Sequence, residues 1–556
     1  MQPRATGTWE RQRRGWSVLG ALVVLAAGLA TLGNGPLWLA VLKAQAAAGV
    51  RGWVVALAWM AALTAVNVAW LALLAVGPLR RPLGVALLIL CAASSYFMFA
   101  YGIVIDASMA ANVFNTDWRE TRELLTPGWV VALLVGAVLP GWWWWRLPVR
   151  SLPWRQAALG RAVVALAALL LATGLLWLTF QDLAALMRND RSLRFLINPY
   201  NSFYATLHHS MGQRAWADEP PQPIGLDAQP LPPAPDEAQA PLVVLVVGET
   251  ARAANVALGG YPRDTTPRLR ALQAAGQPLV YFDRTQACGT NTQTSVPCLF
   301  APQGGQGWDP ARRQENLLDL LQRVGVAVTW LDNQSGCKGV CARVPTRQTD
   351  RLEVPGLCDG QACYDEILLR ELPAALQALP EAARRVGTLA VLHMMGSHGP
   401  AYHKRTPAAF KRFLPECTTA QLQACDGPSI VNAYDNTIVY TDHVLAELIE
   451  WLARRQGPSA LLYVSDHGES LGEGGLYLHG MPYALAPREQ KEVPMLLWLN
   501  APMQQRLGLS AGCLPALAST PATHDHVFHT VAGLFGVRSQ VVQRQRDLLA
   551  GCRRTG

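Results

Sequence analysis

The sequence predicts two architectures in one chain. The first is an α-helical domain of five membrane spans. The second is an α/β domain whose mainly parallel sheet carries helices on both faces. Three observations predict this. Long apolar runs crowd the first third of the 556 residues. From about residue 241 onward, short apolar runs alternate with helical patterns, as in a sheet covered on both sides. Several of those short runs end in side chains that bind metals or move protons, at the rim where α/β folds build their sites.

The spans come first. Apolar residues make up 51% of the chain and charged residues 15%, too apolar a balance for a purely soluble enzyme. The runs at 16–33, 53–76, 83–105, 128–145 and 160–180 approach or exceed the roughly 20 residues a spanning helix needs. The first shows no small-residue cleavage site, and four more follow it, which argues against a signal peptide. Basic residues alternate between loops. Arg4, Arg11, Arg13 and Arg14 precede the first span, Arg80 and Arg81 follow the second, and Arg146, Arg150, Arg155 and Arg161 surround the join of the fourth and fifth. The intervening loops are poorer in net positive charge, with Lys43 and Arg51 in one and mixed charges around 106–123 in the other. The positive-inside rule then puts the N-terminus in the cytoplasm and everything after residue 180 outside. A net charge of +8 suits anionic lipid or phosphate surfaces. The arginines are scattered and form no basic motif, so nucleic acid is not expected.

Cysteine usage points to the same side of the membrane. Cys91 lies in a span; the other ten of the eleven cysteines follow the fifth. Cys288/Cys298, Cys337/Cys341, Cys358/Cys363 and Cys417/Cys425 are close pairs, read as disulfides clipping loops in an oxidising compartment, the periplasm of a bacterium. Spacing does not pair Cys513 and Cys552. No CxxC pairs are present, so a zinc ribbon is not indicated.

Residues 1–180 are therefore assigned to the membrane. Residues 181–240 combine amphipathic helices, of the kind that lie on a membrane surface, with a linker holding eight prolines in 216–241. Residues 241–556 form the catalytic domain. Strands are predicted at 242–247, 279–282, 326–331, 388–393, 460–465 and 494–499, with helices at 312–323 and 430–454 among the connections.

The chemistry gathers at strand ends. Leu242–Val247 runs into Gly248-Glu249-Thr250, and Leu461–Val464 into Ser465-Asp466-His467-Gly468-Glu469-Ser470. Two strands that each deliver hard ligands to one rim suggest a metal-assisted hydrolase or transferase. Cys288-Gly289-Thr290-Asn291-Thr292 displays threonines on a loop constrained by its disulfide. A threonine hydroxyl is a poor nucleophile at neutral pH unless a divalent cation lowers its pKa. Glu249, Asp466, His467 and a threonine oxygen make a mixed nitrogen and oxygen set that fits zinc, with manganese as the other option. His398, after a strand, and His479, in a Gly-rich loop, are candidates to hold phosphate or act as general acid. Asn112, Thr116 and Glu120 recur every four residues and share one helical face.

Gly248-Glu249-Thr250, Cys-Gly-Thr-Asn-Thr, Ser295-Val296-Pro297-Cys298, Met395-Gly396-Ser397-His398-Gly399-Pro400 and Ser465-Asp466-His467-Gly468-Glu469-Ser470 together resemble the lipid A phosphoethanolamine transferases. That family includes the mobile colistin-resistance enzymes and belongs to the alkaline-phosphatase and sulfatase superfamily. The resemblance runs through spans, interfacial helices, linker and outer domain in the same order. It implies that Thr292 is the nucleophile that becomes phosphoethanolaminylated and that Thr290 is not. It implies zinc ligation by Glu249, Asp466, His467 and Thr292, with His398 and His479 holding the transferred phosphate or a second zinc. It implies a lipid-substrate site lined by Asn112, Thr116, Glu120, Ser335 and Lys338. A monomer in the inner membrane of a Gram-negative bacterium is expected. Phosphatidylethanolamine would be the donor and a phosphate of lipid A the acceptor, with polymyxin resistance as the outcome. A core sugar or other periplasmic glycan as acceptor, or phosphoglycerol as the group moved, are the alternatives. A sulfatase would need Cys-x-Pro-x-Arg, whereas Cys298 is followed by Leu-Phe-Ala-Pro.

Overall fold

The computed structural model describes residues 15–45, 49–115, 118–150, 153–214, 220–305, 307, 309, 313–360 and 362–554. They divide into two units, one of residues up to Ala110 with Leu125–His208, the other of Ala111–Leu124 with His209–Gly556.

The first unit holds five helical segments long and apolar enough to cross a membrane: Val18–Ala44, Val50–Leu74, Gly77–Tyr101, Pro127–Arg146 and Trp154–Leu178. Each overlaps a predicted apolar run, but the first continues to Ala44, past the predicted end at 33, and the third and fifth begin earlier than predicted, at Gly77 and Trp154. Small residues form much of the packed interior. Ala21, Ala26, Ala65, Ala69, Ala168 and Ala172 are buried in one cluster, while Leu57, Leu73 and Leu170 are exposed. Small side chains let helix backbones approach where lipid supplies no hydrophobic drive for helices to associate. Several polar side chains in this unit bond across helices. Asn34 donates through Nδ2 to the carbonyl of Asn198 at 2.8 Å and accepts from its backbone N–H at 2.8 Å. The Tyr200 hydroxyl donates to Asn67 Oδ1 at 2.6 Å. These bonds tie the segment after the fifth span to the first two spans. That segment forms helices Phe180–Asn189 and Tyr200–Arg214 around a 3₁₀ turn, Arg191–Leu196.

The second unit is built on strands β1 (Leu242–Gly248), β2 (Leu279–Tyr281), β3 (Thr285–Gln286), β4 (Ala327–Asp332), β5 (Thr346–Gln348), β6 (Thr388–His393), β7 (Ser459–Ser465), β8 (Ser470–Leu471), β9 (Tyr477–Leu478), β10 (Met495–Leu499) and β11 (Ala522–Thr523). Seven form one sheet in the order β2-β10-β7-β1-β6-β4-β5. Only β10 runs antiparallel, to both neighbours. The central strands are buried throughout, as the β-branched and leucine runs require of a sheet covered on both faces. Side chains alternate. Val243, Leu245 and Val247 join the core that includes helix Asp525–Phe535, and Leu242, Val244 and Val246 join the core under helix Gly427–Ala453. Five disulfides are present: Cys288–Cys298, Cys337–Cys341, Cys358–Cys363, Cys417–Cys425 and Cys513–Cys552.

The Pro-rich stretch is extended, but it is docked on the catalytic unit. Leu231 N–H bonds the Val324 carbonyl at 2.9 Å, Ile224 N–H bonds Glu315 at 3.0 Å, and the Asp227 carboxylate accepts from the Ser539 hydroxyl at 2.6 Å. Prolines remove donors, so an extended strap meets its few remaining hydrogen-bond needs on the domain it crosses.

Candidate metal centre and nucleophile

Register explains why the ligand residues meet. Gly248 of β1 pairs with Ser465 of β7, so Glu249 and Asp466 leave neighbouring parallel strands at one level. His393 closes β6 opposite Val247, and Asp332 closes β4 opposite His393. All four carboxyl ends lie on one rim.

The turn after β7 is fixed by its own side chains. Asp466 Oδ1 accepts from the backbone N–H groups of His467 at 2.7 Å and Thr250 at 3.1 Å. Its Oδ2 is buried and has no hydrogen-bond donor. His467 Nδ1 lies 2.9 Å from the Gly468 carbonyl. A carbonyl can only accept, so Nδ1 carries a proton and Nε2 is the ring nitrogen that faces the site. Glu249 Oε1 accepts from the Thr250 hydroxyl at 2.5 Å, and Oε2 from Gln334 Nε2 at 3.0 Å. Thr250 adopts φ 60°, a region costly for a branched side chain, and such strain collects at functional sites. Gly396, at φ +52°, passes so close that an added Cβ would stand 2.6 Å from the Glu249 carbonyl oxygen.

Thr292 opens the helix Thr292–Leu299, capped by the Asn291 side chain. Its Oγ1 lies 3.3 Å from Glu249 Oε2, 3.4 Å from Glu249 Oε1 and 3.4 Å from His467 Nε2. His467 Nε2 lies 3.3 Å from Asp466 Oδ2. These four side chains are at most 4% exposed. The separations are long for good hydrogen bonds, which centre near 2.7–3.0 Å. They match the edges of about 3.3–3.4 Å of a tetrahedron with zinc–ligand bonds of about 2.0–2.1 Å. Among the described residues, Glu249, Asp466 and His467 form the one cluster of three ligand-type side chains close enough to share an ion. The orphaned Asp466 Oδ2 and the aimed His467 Nε2 fit a divalent cation.

Charge distribution agrees. Burial drives the Asp466 carboxyl up, and the Glu249 charge drives it further. Burial opposes the charged forms of Glu249 and His467 too; contact with His467 outweighs it and holds Glu249 low, while the Asp466 charge and the Glu249 contact outweigh it and hold His467 high. Two buried carboxylates face one imidazole, so the pocket is rich in negative charge.

The other sequence-predicted residues take distinct places. Thr290 is spent on structure: its hydroxyl donates to the Met481 carbonyl at 2.6 Å, and its own carbonyl accepts from Gly480 N–H at 2.8 Å, strapping the loop that bears His479. The His479 ring lies 4.2 Å from that of His467 and 6.0 Å from that of His398, centroid to centroid. Lys338 Nζ donates to Ser335 Oγ at 2.9 Å, and Ser335 Oγ donates to Gln334 Oε1 at 2.5 Å, so both connect through Gln334 to Glu249. Asn112 lies on helix Ala107–Asn115, and Glu120 on helix Trp118–Leu124. Thr116 and the side chain of Glu120 lie outside the described residues.

Sequence reasoning missed four supports. Gln334 holds Glu249. Asp365, fully buried, accepts from Met395 N–H at 2.8 Å, Gly396 N–H at 2.9 Å and Asn333 Nδ2 at 2.9 Å, fixing the loop before His398. Glu469 Oε1 lies 3.3 Å from His479 Nδ1. His524 Nδ1 receives the Cys288 N–H at 3.2 Å, and its Nε2 donates to the Ser465 carbonyl at 3.0 Å, linking the loop before Thr292 to β7. Glu469 lies inside a motif read from the sequence, and Gln334 adjoins the predicted Ser335; Asp365 and His524 sit in stretches with no motif.

Known proteins resemble the chain along most of its length. A family profile described as "Phosphoethanolamine transferase EptA/EptB" matches residues 63–213, and one described as "Sulfatase" matches residues 241–537. The chain is 40% identical to phosphoethanolamine transferase EptA of Escherichia coli strain K12 over 486 residues, 86% of each protein. It is 35% identical to phosphatidylethanolamine transferase Mcr-1 of Escherichia coli over 473 residues, 83% of this chain and 85% of that one. Among solved structures it resembles the integral membrane lipooligosaccharide phosphoethanolamine transferase A of Neisseria meningitidis. That match has a TM-score of 0.91 and 35% identity and covers 97% of this chain and 99% of the other.

Proposed function

This chain belongs to the EptA/EptB phosphoethanolamine transferase family, and from that premise we propose that it moves phosphoethanolamine from phosphatidylethanolamine to a phosphate of lipid A through a covalent adduct on Thr292. It is a multi-pass inner-membrane transferase with its C-terminal domain on the periplasmic side. Residues 1–180 anchor it, 181–240 lead into the outer domain, and 241–556 carry the chemistry.

The observation that carries the reading is the approach of Thr292 Oγ1 to within 3.3–3.4 Å of Glu249 and His467. Glu249, Asp466, His467 and Thr292 would hold one zinc ion, which when bound lowers the hydroxyl's pKa and offsets the charge developing on phosphorus oxygens. Thr292 Oγ attacks the donor phosphorus. The new Oγ–P bond forms as the bond to diacylglycerol breaks, and the threonine proton ends on the departing diacylglycerol. An oxygen of a lipid A phosphate then attacks the adduct, and Thr292 takes back a proton. His398 and His479 flank that space, where they hold the transferred phosphate and neutralise its charge; the same pair would receive a second zinc. Asn112, Thr116, Glu120, Ser335 and Lys338 line the donor lipid. Lys338 suits its phosphate, and the Glu120 carboxylate suits its ammonium.

The product sets an ammonium beside a lipid A phosphate, which weakens the pull on polycationic peptides such as polymyxins. Mass spectrometry of lipid A from Gram-negative cells expressing the chain or Thr292→Ala tests the reading. A gain of one phosphoethanolamine unit, absent in the variant, is expected. No gain from zinc-loaded, folded protein overturns lipid A as acceptor and directs the search to core sugars.

A further inference from the structure

The segment Ala111–Leu124 lies between the third and fourth spans in sequence, yet it groups with the catalytic unit. One ion pair within that unit accounts for part of this. Arg405 Nη2 bonds Glu123 Oε2, and the two side chains are only 6% and 15% exposed. The same guanidinium donates through Nε to the backbone carbonyl of His398 at 2.8 Å. Glu123 sits on helix Trp118–Leu124, three residues after Glu120.

We propose that Arg405 is a positioning residue that couples the segment carrying Asn112, Thr116 and Glu120 to the catalytic loop at His398. The inference rests on the reading of those three residues as the donor-lipid site.

The physical case is one of shared reference. A donor lipid must offer its phosphorus to Thr292 while its headgroup is held elsewhere, and small misplacements cost rate steeply. Arg405 presents a rigid planar fork, so two acceptors bonded to one guanidinium are fixed relative to each other. One acceptor belongs to the helix of Glu120 and the other to the loop of His398. That loop is already stiff, because Asp365 accepts from Met395 and Gly396 N–H groups. On another side Arg405 lines a cavity of about 130 Å³ with Met395, Lys404 and Asp365, whose buried carboxylate attracts it. Lysine at 405 would keep the charge but lose the fork.

The test uses the full-length enzyme in detergent with two donors. One is a fluorescent diacyl phosphatidylethanolamine; the other is a water-soluble phosphoethanolamine ester without acyl chains. For Glu123→Gln, KM for the lipid is expected to rise about tenfold, with kcat and turnover of the soluble ester within about twofold of wild type. Arg405→Gln, which also frees His398, lowers kcat on both donors. Combining the two substitutions raises lipid KM no further than Arg405→Gln alone, because both act through one contact. Equal losses on both donors with Glu123→Gln, or a lipid KM unmoved by it, overturn the coupling. Asn112→Ala separates the two failures. If it raises lipid KM while Glu123→Gln does not, the coupling alone falls. If neither moves it, the donor-site reading falls and takes the coupling with it. Glu123→Asp, keeping the charge on a shorter arm, gives an intermediate lipid KM if the proposal holds.

Discussion

His524 offers the sharpest test of how the nucleophile loop is held. Its ring is fully buried between Cys288 N–H and the Ser465 carbonyl. Burial holds its pKa down to about 3, against 6.5 for an unburied imidazole. Between those values the unfolded chain binds a proton that the folded chain refuses, so stability is complete above pH 6.5 and falls as pH drops toward 3. At about pH 5 the loss amounts to about 2 kcal/mol, and at pH 7.5 it is negligible. For a cooperative unit of about 350 residues that corresponds to about 3 °C in melting temperature. His524→Phe fills similar space but leaves a buried N–H and a buried carbonyl unpaired, costing about 1–3 kcal/mol each. The variant should therefore melt below wild type at pH 7.5, and the gap should narrow by about 3 °C at pH 5, because the variant has no such proton to refuse. Differential scanning fluorimetry of both proteins in the same detergent reads this directly. A gap of equal size at both pH values would refute the idea that the imidazole is kept neutral by burial.

Other outcomes follow from the same geometry. Thr292→Val should lower lipid A modification by about a thousandfold or more, while Thr290→Val, which loses only the strap to Met481, should lower it by about tenfold; single-turnover transfer to purified lipid A distinguishes them. Removing zinc with a chelator should lower the melting temperature, and re-adding it at about 100 times its Kd should return about 2.7 kcal/mol, read as a restored melting curve and restored activity. Gly396→Ala puts a methyl group 2.6 Å from the Glu249 carbonyl in a backbone conformation that disfavours it. A cost of about 2 kcal/mol or more and weaker zinc retention are expected, measured by melting and by metal content after dialysis.

Much of this was legible because two periodicities are strong. The apolar runs placed the five spans, although the first continues to Ala44, well past its predicted end at 33, and the central strand β1 reads as Val and Leu up to its closing glycine. The site was legible where ligands directly follow strands, as Glu249 and Asp466-His467 do, because a parallel sheet carries such residues to one rim. Asp365 and His524 escaped for the opposite reason. Each acts through backbone groups distant in sequence, and a lone Asp or His in a stretch without repeat carries no local mark of its partner. The 111–124 segment also defeated reading by order. Its neighbours in sequence are membrane helices, but its ion pair reaches to Arg405, and no pattern in a single sequence pairs residues so far apart. The docked proline strap was read as extended, which its composition dictates; that it lies on the domain depends on acceptors contributed by residues such as Val324 and Glu315.

The donor set itself argues for a cation. A hydroxyl 3.3 Å from Glu249 and backed by Asp466 stands in a negative field. That field opposes ionisation of the threonine and repels an arriving phosphodiester anion. A protonated His467 offsets one of the two carboxylates, but in that state its Nε2 holds a hydrogen and no lone pair for Thr292. The first peptide groups of the helix Thr292–Leu299 add only a fraction of a charge. Exchanging the His467 proton for a divalent cation removes both difficulties together: it balances Glu249 and Asp466, and it frees Nε2 as a ligand on the side where Gly468 has already fixed the tautomer. A cation held by these residues would supply the lowered hydroxyl pKa that Thr292 lacks in the bare pocket.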